Sequence, residues 1–236
     1  MMKTLIHKAD TRGHFNYGWL DTHHTFSFAD YYNQERMHFG VLRVLNDDIV
    51  KGGKGFDMHS HENMEIISIP VKGNLEHKDS TGTLHTIGKN EVQIMSAGKG
   101  ITHSEYNKSK TKPVNFLQIW IYPNTKDVEP RYDQMVFSPK KNKFQQIISP
   151  YPEDEGMWIH QKAWLDLGYF EKERNIKYNF RKEGNGVYMF VINGKIQVNE
   201  LHLTERDGIG ILGINSFSFR VQKNSELLLL EIPMAV

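Results

Sequence analysis

Two short histidine clusters constrain this chain more than any other feature of its sequence. The first reads His59-Ser-His61 and the second reads His103-Ser-Glu105. Within each cluster the two candidate ligands are separated by one residue, and on an extended strand such residues point to the same face. Two neighbouring strands would therefore bring three imidazoles and one carboxylate to a common point. Nitrogen and oxygen ligands in this combination predict a site for a transition-metal ion.

Short runs rich in β-branched and aromatic residues recur along the chain and predict strands. The clearest runs are residues 41–45, 65–71, 115–122 and 187–192. Turn signals rich in Gly and Asn separate the runs at regular intervals. The pattern predicts an all-β protein built as an antiparallel sandwich or barrel, with short helices only near residues 30–36 and 132–136.

The composition excludes several kinds of ligand, nucleophile and binding partner. Cysteine is absent from the 236 residues, which excludes disulfides, thiolate ligands and thiol nucleophiles. A formal net charge of +1 gives no electrostatic reason to expect nucleic acid or an acidic membrane as a partner. No apolar run is long enough to span a bilayer, and the first ten residues lack the apolar core of a secretory signal. We therefore expect a cytoplasmic protein.

The strand pattern is interrupted over residues 137–156, where prolines and charged residues accumulate. Beyond this break the chain repeats the layout of its first half. Aligning the two halves places Phe180 and Lys182 at the positions of the two histidines of the first cluster. The sequence thus predicts a metal-binding barrel over residues 1–138 and a barrel without a metal site over residues 139–236.

Longer motifs around the clusters resemble those of a known family. They are Thr25-Phe-Ser-Phe-Ala-Asp-Tyr-Tyr32, Phe56-Asp-Met-His-Ser-His-Glu-Asn-Met-Glu65 and Met95-Ser-Ala-Gly-Lys-Gly-Ile-Thr-His-Ser-Glu105. The last two resemble the cupin motifs, with Gly73 one residue later than in the general pattern and with Ser96 and Gly98 where proline is expected. These departures and the N-terminal motif are typical of the pirin family. The chain is similar to the bacterial branch that includes proteins with quercetin 2,3-dioxygenase activity.

The resemblance implies a bicupin, in which two β-barrels (double-stranded β-helices) pack in tandem and only the N-terminal one binds metal. It implies His59, His61, His103 and Glu105 as the ligands, the same four residues that strand alternation brings together. It favours one Fe(II) ion in a monomer, although such a site also accepts Mn, Ni, Co, Cu or Zn. Glu65 remains an alternative ligand, or a residue that contacts the ligands, because its even spacing from His59 lets it face the interior if the strand stays regular.

The resemblance also implies an activity. A flat aromatic small molecule such as the flavonol quercetin would enter the mouth of the barrel, and O2 would open its ring with loss of carbon monoxide. Glu105, or Glu65 in its place, would act as the general base for the flavonol hydroxyl. The alternative, implied by other pirins, is a redox-sensing metal protein that acts through protein partners and has no physiological flavonol substrate.

Several other residues receive less specific predictions. We expect His77 and His85 to be exposed on a hairpin beyond the site, and His24 to serve a surface or packing role. Phe28 belongs to an aromatic segment that we assign to the core, with a contribution to the pocket left open. Asn107 shares the strand parity of the acidic ligand and is expected to orient the ligands by hydrogen bonding rather than to bind metal.

Overall fold

A computed structural model describes residues 1–235, which form strands, turns and two short 3-10 helices. The strands are β1 Lys3–His7, β2 Gly13–Asn16, β3 Leu20–His24, β4 Leu42–Val50, β5 Gly55–His61, β6 Glu65–Lys72, β7 Leu75–Asp79, β8 Leu84–Ile87, β9 Glu91–Ser96, β10 Ile101–Asn107, β11 Val114–Ile121, β12 Arg131–Val136, β13 Lys143–Ser149, β14 Met157–Trp158, β15 Trp164–Phe170, β16 Arg174–Asn179, β17 Asn185–Asn193, β18 Lys195–Val198, β19 Leu201–Thr204, β20 Gly208–Leu212, β21 Ser216–Val221 and β22 Ser225–Pro233. The helices are Ala9–Thr11 and Gln34–Arg36. The all-β prediction is confirmed. Over these described residues, no helix has the length and apolar character needed to cross a membrane.

One of the two predicted helical segments contains a helix. Gln34–Arg36 forms a 3-10 turn, and the side chain of Asn33 caps it by accepting a hydrogen bond from the backbone N–H of Glu35. The helical prediction for residues 132–136 is wrong, because these residues lie in β12, which pairs antiparallel with β9. Their backbone hydrogen bonds are made with a strand distant in sequence, which a short segment does not reveal.

Four sheets build two barrels. The first barrel combines a seven-stranded sheet in the order β12-β9-β6-β11-β4-β3-β2 with a four-stranded sheet in the order β5-β10-β7-β8. The second combines a seven-stranded sheet, β1-β20-β17-β22-β15-β13-β14, with a four-stranded sheet, β16-β21-β18-β19. In each barrel, buried apolar side chains from the two sheets pack against one another. The predicted arrangement of two barrels in tandem follows from this pairing.

Strand β1 departs from the predicted domain division. The sequence boundary assigns residues 1–138 to the first barrel, whereas β1 pairs antiparallel with β20 of the second barrel, from Lys3 opposite Leu212 to His7 opposite Gly208. A hydrogen bond of 2.8 Å between His7 Nδ1 and the Tyr188 hydroxyl adds a buried side-chain contact. The start of the chain therefore completes the sheet of the other barrel.

The two barrels have different interiors. The largest hydrophobic cluster lies between them and includes residues of both, such as Leu117 and Leu228. Inside the second barrel one continuous apolar cluster contains Phe170, Phe217 and Phe219. Inside the first barrel the apolar residues form two smaller clusters, and buried polar side chains of β6, β9 and β10 share the interior with them. The histidine clusters lie in this polar layer of the first barrel, whereas two buried carboxylates of the second barrel, Asp166 and Glu231, are hydrogen-bonded to Arg181 and Tyr178.

Candidate metal centre

Strands β5 and β10 place the predicted histidines side by side. His59 lies directly opposite His103 in the antiparallel ladder, and His61 lies opposite Ile101. The ring centroids are 4.4 Å apart for His59 and His103, 4.8 Å for His59 and His61, and 4.9 Å for His61 and His103. One ring nitrogen of each histidine lies within 4.8 Å of the other two. Three imidazoles therefore converge on one region, as strand alternation requires.

Two of the ring nitrogens in this cluster have no hydrogen-bond partner among residues 1–235. The Nε2 atoms of His61 and His103 are buried and make no hydrogen bond to any described residue. His59 donates from Nδ1 to the backbone carbonyl of Asp57 at 2.7 Å, which leaves the lone pair of its imidazole on Nε2. Buried nitrogens without partners carry a desolvation cost that a bound metal ion would remove. The residues present fit a metal ion.

Burial and mutual repulsion keep two of the imidazoles neutral. Desolvation, and then the neighbouring His103 and His59, lower the pKa of His61 from 6.5 to about 4. Desolvation, and then His59 and His77, lower the pKa of His103 to about 3. Neutral imidazole is the form that binds a metal ion, so these two side chains have no proton to lose at pH 7 before they bind.

Glu105 lies beside the histidines at an irregular point of β10. A β-bulge between His103 and Glu105 shifts the register, so that Glu105 pairs with Phe56 of β5. One carboxylate oxygen of Glu105 lies within 4.8 Å of ring nitrogens of His103 and His77. Glu105 therefore adjoins the three-histidine cluster through His103, and its role as a ligand stays a prediction.

Three neutral donors hold the Glu105 carboxylate in place. The donors are Ser68 Oγ to Oε1 at 2.9 Å, Gln93 Nε2 to Oε1 at 3.1 Å and Gln118 Nε2 to Oε2 at 2.6 Å. An ionised carboxylate offers about four acceptor positions. One position therefore remains free, on the oxygen that has a single donor, for a metal ion or a substrate hydroxyl.

The structure does not bring Glu65 into this cluster. Strand β5 ends at His61, and β6 begins at Glu65 in the other sheet, after a turn in which Asn63 has a φ of 49°. The even spacing from the first histidine therefore does not carry across the turn. The Glu65 carboxylate accepts a hydrogen bond of 2.9 Å from Ser96 Oγ. Burial raises its pKa to about 7, against the effect of that bond and of nearby Arg131.

A cavity of about 250 Å³ opens onto His59, His61 and Glu105. Its apolar wall includes Tyr17, Leu20, Phe28, Phe56 and Trp120. The Trp120 ring contacts the rings of both His61 and Phe28 edge-on, at centroid distances of 4.8 and 5.2 Å. Phe28 is therefore a pocket residue, the alternative that the sequence left open. An aromatic wall with a few polar groups at one end suits a flat aromatic ligand.

Sequence reasoning missed three polar or aromatic residues of this cavity. Gln118 donates to Glu105, and Trp120 donates from Nε1 to Gln118 Oε1 at 3.2 Å. Asp48 is buried and hydrogen-bonded by the Thr22 hydroxyl, and burial raises its pKa to about 7 despite that bond. The available signal was a glutamine between apolar residues of β11 and an aspartate within the mostly buried strand β4.

The prediction that His77 is exposed is wrong. Leu75, His77 and Asp79 alternate on the buried face of β7, and the exposed fraction of His77 is 0%. The ring of His77 stacks on Tyr132 at a centroid distance of 4.6 Å and lies beside His103. A histidine followed by a lysine and an aspartate looks like a surface segment, although two of these three side chains point inward.

Three other predictions have mixed outcomes. His85 is exposed on β8, as expected. His24 is buried and lines the cavity, so it has a place beside the site in addition to its packing role. Asn107 makes no contact with the candidate ligands, because its Nδ2 donates to the backbone carbonyls of Val50 and Lys112 at 2.9 and 2.8 Å. Its orienting role is therefore wrong, and it holds a loop instead.

A second group of ligand-type residues lies on the β2–β3 hairpin. His14, Asp21 and His23 each place one ligand atom within 4.8 Å of the others. The rings of His14 and His23 stack at 4.2 Å with only 9° between their planes, so their lone pairs do not converge. His14 is also hydrogen-bonded to Asp21 at 2.8 Å. This geometry does not favour a metal ion.

Comparison with known proteins places the chain among proteins that share this architecture. The pirin profile matches residues 6–121, and the profile of the quercetinase C-terminal cupin domain matches residues 146–232. Together they confirm the predicted tandem cupin fold. The chain is 39% identical over 228 residues to quercetin 2,3-dioxygenase of Escherichia coli strain K12, covering 97% of this chain and 98% of that protein.

Two further relatives agree with this result. A pirin-like protein of Caulobacter vibrioides is 32% identical over 225 residues, which cover 94% of this chain and 96% of that protein. The crystal structure of the bacterial pirin YhhW from Escherichia coli in complex with nickel(II) superposes with a TM-score of 0.94 at 37% identity, covering 99% of this chain and 100% of that one. With its architecture, its histidine clusters and its full-length relatives in agreement, this chain belongs to the pirin family.

Proposed function

We propose that this protein is a metal-dependent dioxygenase that opens the ring of a flavonol such as quercetin with O2. The observation that carries the proposal is the meeting of an aromatic-walled cavity with three converging histidines, two of which have buried nitrogens without partners. Relatives named quercetin 2,3-dioxygenase, such as the one from Escherichia coli, support the same substrate class.

The side chains of the cavity divide the work of binding and proton transfer. A metal ion bound to the three histidines would supply a Lewis acid that lowers the pKa of a coordinated hydroxyl. Trp120 and Phe28 would contact the flat rings of the substrate and keep water away from them. Glu105 would accept the hydroxyl proton at its free acceptor position, while Gln118 and Gln93 hold the carboxylate in place.

We further propose one Fe(II) ion per chain, held by the first barrel, and none in the second barrel, whose seven-stranded sheet includes β1 as well as strands from the C-terminal half of the chain. The positions of the ligand-type residues support this division, because every group of three His, Asp or Glu side chains close enough to hold one ion, among the described residues, lies in the first barrel. The nickel(II) bound to the Escherichia coli pirin makes Ni(II) the first ion to compare with Fe(II).

The test combines metal counting with turnover on the same batch of protein. Apoprotein is loaded anaerobically with one of Fe(II), Ni(II), Mn(II), Co(II) or Cu(II), and the flavonol absorbance of quercetin is followed with and without O2. Loss of absorbance only with O2, in proportion to bound metal and to one ion per chain, would support the proposal. Full metal occupancy without turnover, for each of Fe, Ni, Mn, Co and Cu, would overturn it.

A matched pair of variants links turnover to the site. His59→Ala should lose both metal and turnover, because it removes one of the three converging nitrogens. His85→Ala should keep both, because His85 is an exposed histidine of the same four-stranded sheet and lies outside the cavity. Equal turnover in the two variants would refute the assignment of the site.

Glu105→Gln separates the two roles proposed for this carboxylate. If Glu105 acts mainly as the general base, the variant should retain metal while turnover falls about 10² to 10⁴-fold. If Glu105 is mainly a ligand, metal occupancy should fall together with turnover. Unchanged occupancy and unchanged turnover would exclude both roles.

The alternative function is a redox-sensing metal protein that acts through a protein partner. This function requires exposed surface beside the metal site, where a partner could bind. The exposure of two side chains near the site favours it. Met58, adjacent to His59, is 52% exposed, and Tyr17 at the cavity wall is 49% exposed. This function would be preferred if the protein binds iron reversibly, turns over no flavonol, and changes its affinity for a partner when the iron is oxidised.

A further inference from the structure

A buried chain of hydrogen bonds runs from His103 away from the cavity to Asp79. The Nδ1 atom of His103 lies 3.4 Å from Nδ1 of His77, and Nε2 of His77 lies 2.8 Å from Oδ2 of Asp79. The exposed fractions of His103, His77 and Asp79 are 0%, 0% and 4%. Neither His77 nor Asp79 lines the cavity, so neither is placed to contact a substrate.

This series of hydrogen bonds determines which tautomer His77 and His103 adopt. A carboxylate only accepts, so His77 carries its proton on Nε2 and donates it to Asp79. A neutral His77 then has its lone pair on Nδ1, which accepts the N–H on Nδ1 of His103. This arrangement leaves the lone pair of His103 on Nε2, the buried atom without a partner in the three-histidine cluster.

Neighbouring residues fix Asp79, the last residue in this series of hydrogen bonds. Asp79 Oδ1 accepts from the backbone N–H groups of Thr81 and Thr83 at 2.9 and 3.2 Å, and from the Thr81 hydroxyl at 2.6 Å. Its other oxygen is thereby aimed at His77. Tyr132 stacks against the His77 ring with 30° between the two planes. Rotation of Asp79 or of His77 would break several of these contacts at once.

We infer that Asp79 and His77 are positioning residues of the metal site, joined to His103 as a carboxylate–imidazole–imidazole relay. The relay holds the Nε2 lone pair of His103 toward the metal position and makes that nitrogen a stronger electron donor. Groups that hydrogen-bond the outer nitrogen of a metal-binding histidine have this effect in general. The inference rests on the proposed metal site, and it adds that metal affinity and the reduction potential of bound iron depend on two residues outside it.

Substitution of His77 tests the relay directly, and the chain supplies a matched control. His77 and His85 lie opposite each other on β7 and β8, the first buried and the second exposed. Affinity for Ni(II) and anaerobic Fe(II) is measured by competition with a coloured chelator, together with the melting temperature of each apoprotein. His77→Gln should weaken binding about 10 to 100-fold, and His85→Gln should change it less than about twofold.

Asp79→Asn provides a second variant that keeps the shape of the side chain. The amide oxygen can still accept from Thr81 and Thr83, but the amide nitrogen then faces His77 as a donor. His77 must move its proton to Nδ1, where it opposes the proton of His103. Nitrogen-15 NMR of the apoprotein should show His77 protonated on Nε2 in the wild type and on Nδ1 in the variant. The reduction potential of bound iron should rise in Asp79→Asn, because electron donation by His103 falls.

The outcomes separate this inference from the proposed function. If the wild-type protein binds neither Ni(II) nor Fe(II), the proposed metal site is overturned and the relay with it. If the wild type binds metal but His77→Gln and Asp79→Asn bind it within twofold of the wild-type affinity, the relay alone is overturned. Protonation of His77 on Nδ1 in the wild-type apoprotein would also overturn it.

Discussion

The substitution Glu65→Gln should raise the free energy of unfolding of this protein at alkaline pH and change it little at acidic pH. The carboxyl of Glu65 is 1% exposed, and burial raises its pKa from the usual 4.5 to about 7. A carboxyl with a raised pKa adds stability below pH 4.5, and this contribution is lost as the pH rises through 7. At 1.36 kcal/mol for each pKa unit, the full loss for this group is about 3 kcal/mol. Gln is nearly isosteric with Glu and never ionises, so the Glu65→Gln variant avoids this loss of stability.

The assay is reversible denaturant unfolding of wild type and variant at pH 5 and pH 8. The difference between the two proteins isolates Glu65, because every other titrating group is common to both. We expect a difference below about 1 kcal/mol at pH 5 and a gain approaching about 3 kcal/mol for the variant at pH 8. The attraction of ionised Glu65 to Arg131 is already contained in the pKa of about 7, so it does not reduce this gain further.

One result would refute this reasoning. A variant that is less stable than the wild type at pH 8 would mean that Arg131 and the Ser96 hydroxyl hold Glu65 as a carboxylate, with a pKa below its usual value. Ser96→Ala then serves as a control. It removes the 2.9 Å hydrogen bond that favours the ionised form, so it should raise the pKa of Glu65 further and steepen the loss of stability with pH.

Two other features, a buried histidine and a glycine with positive φ, also give predictions about the stability of the protein. Burial lowers the pKa of His7 from 6.5 to about 4, so stability should fall by up to about 3 kcal/mol as the pH drops from 6.5 to 4, and His7→Gln should flatten that part of the stability–pH curve. Gly194→Ala should cost more than about 2 kcal/mol in denaturant unfolding, because its φ is +88° and the added methyl would lie 2.2 Å from Ser225 Oγ. Gly184→Ala is the matched control, with a φ of +82° and open space, and should cost only about 1 kcal/mol; equal losses would show that packing against Ser225 does not matter.

The histidine clusters were predictable because their signal is local. Strand alternation within His59-Ser-His61 sets which side chains share a face, and the structure brings these rings together with His103. The same counting failed for Glu65, since the chain turns at Asn63 and changes sheet between the two residues. An even spacing between two residues indicates a shared face only within one regular strand. It gives no information about residues beyond the end of that strand.

The buried relay was not predictable from composition. His77 and Asp79 are polar residues on a strand beside a hairpin turn, and such residues usually face water. What makes them internal is the position of β7 next to β10, where His77 pairs with Glu105 and Asp79 pairs with His103. This neighbour relation joins strands more than 20 residues apart, so no window of local sequence contains it. The polar layer inside the first barrel has the same origin.

The pairing of β1 with β20 has a consequence for the order of folding. The two strands are about 200 residues apart in the chain, so the sheet of the second barrel closes only after nearly all the sequence has been synthesised. Until then β1 has no partner, and the edge of the unfinished sheet is open to other chains. Contacts of such long range slow folding and prolong the lifetime of partly folded species. We therefore expect the first barrel to form early and closure by β1 to be among the last steps of folding.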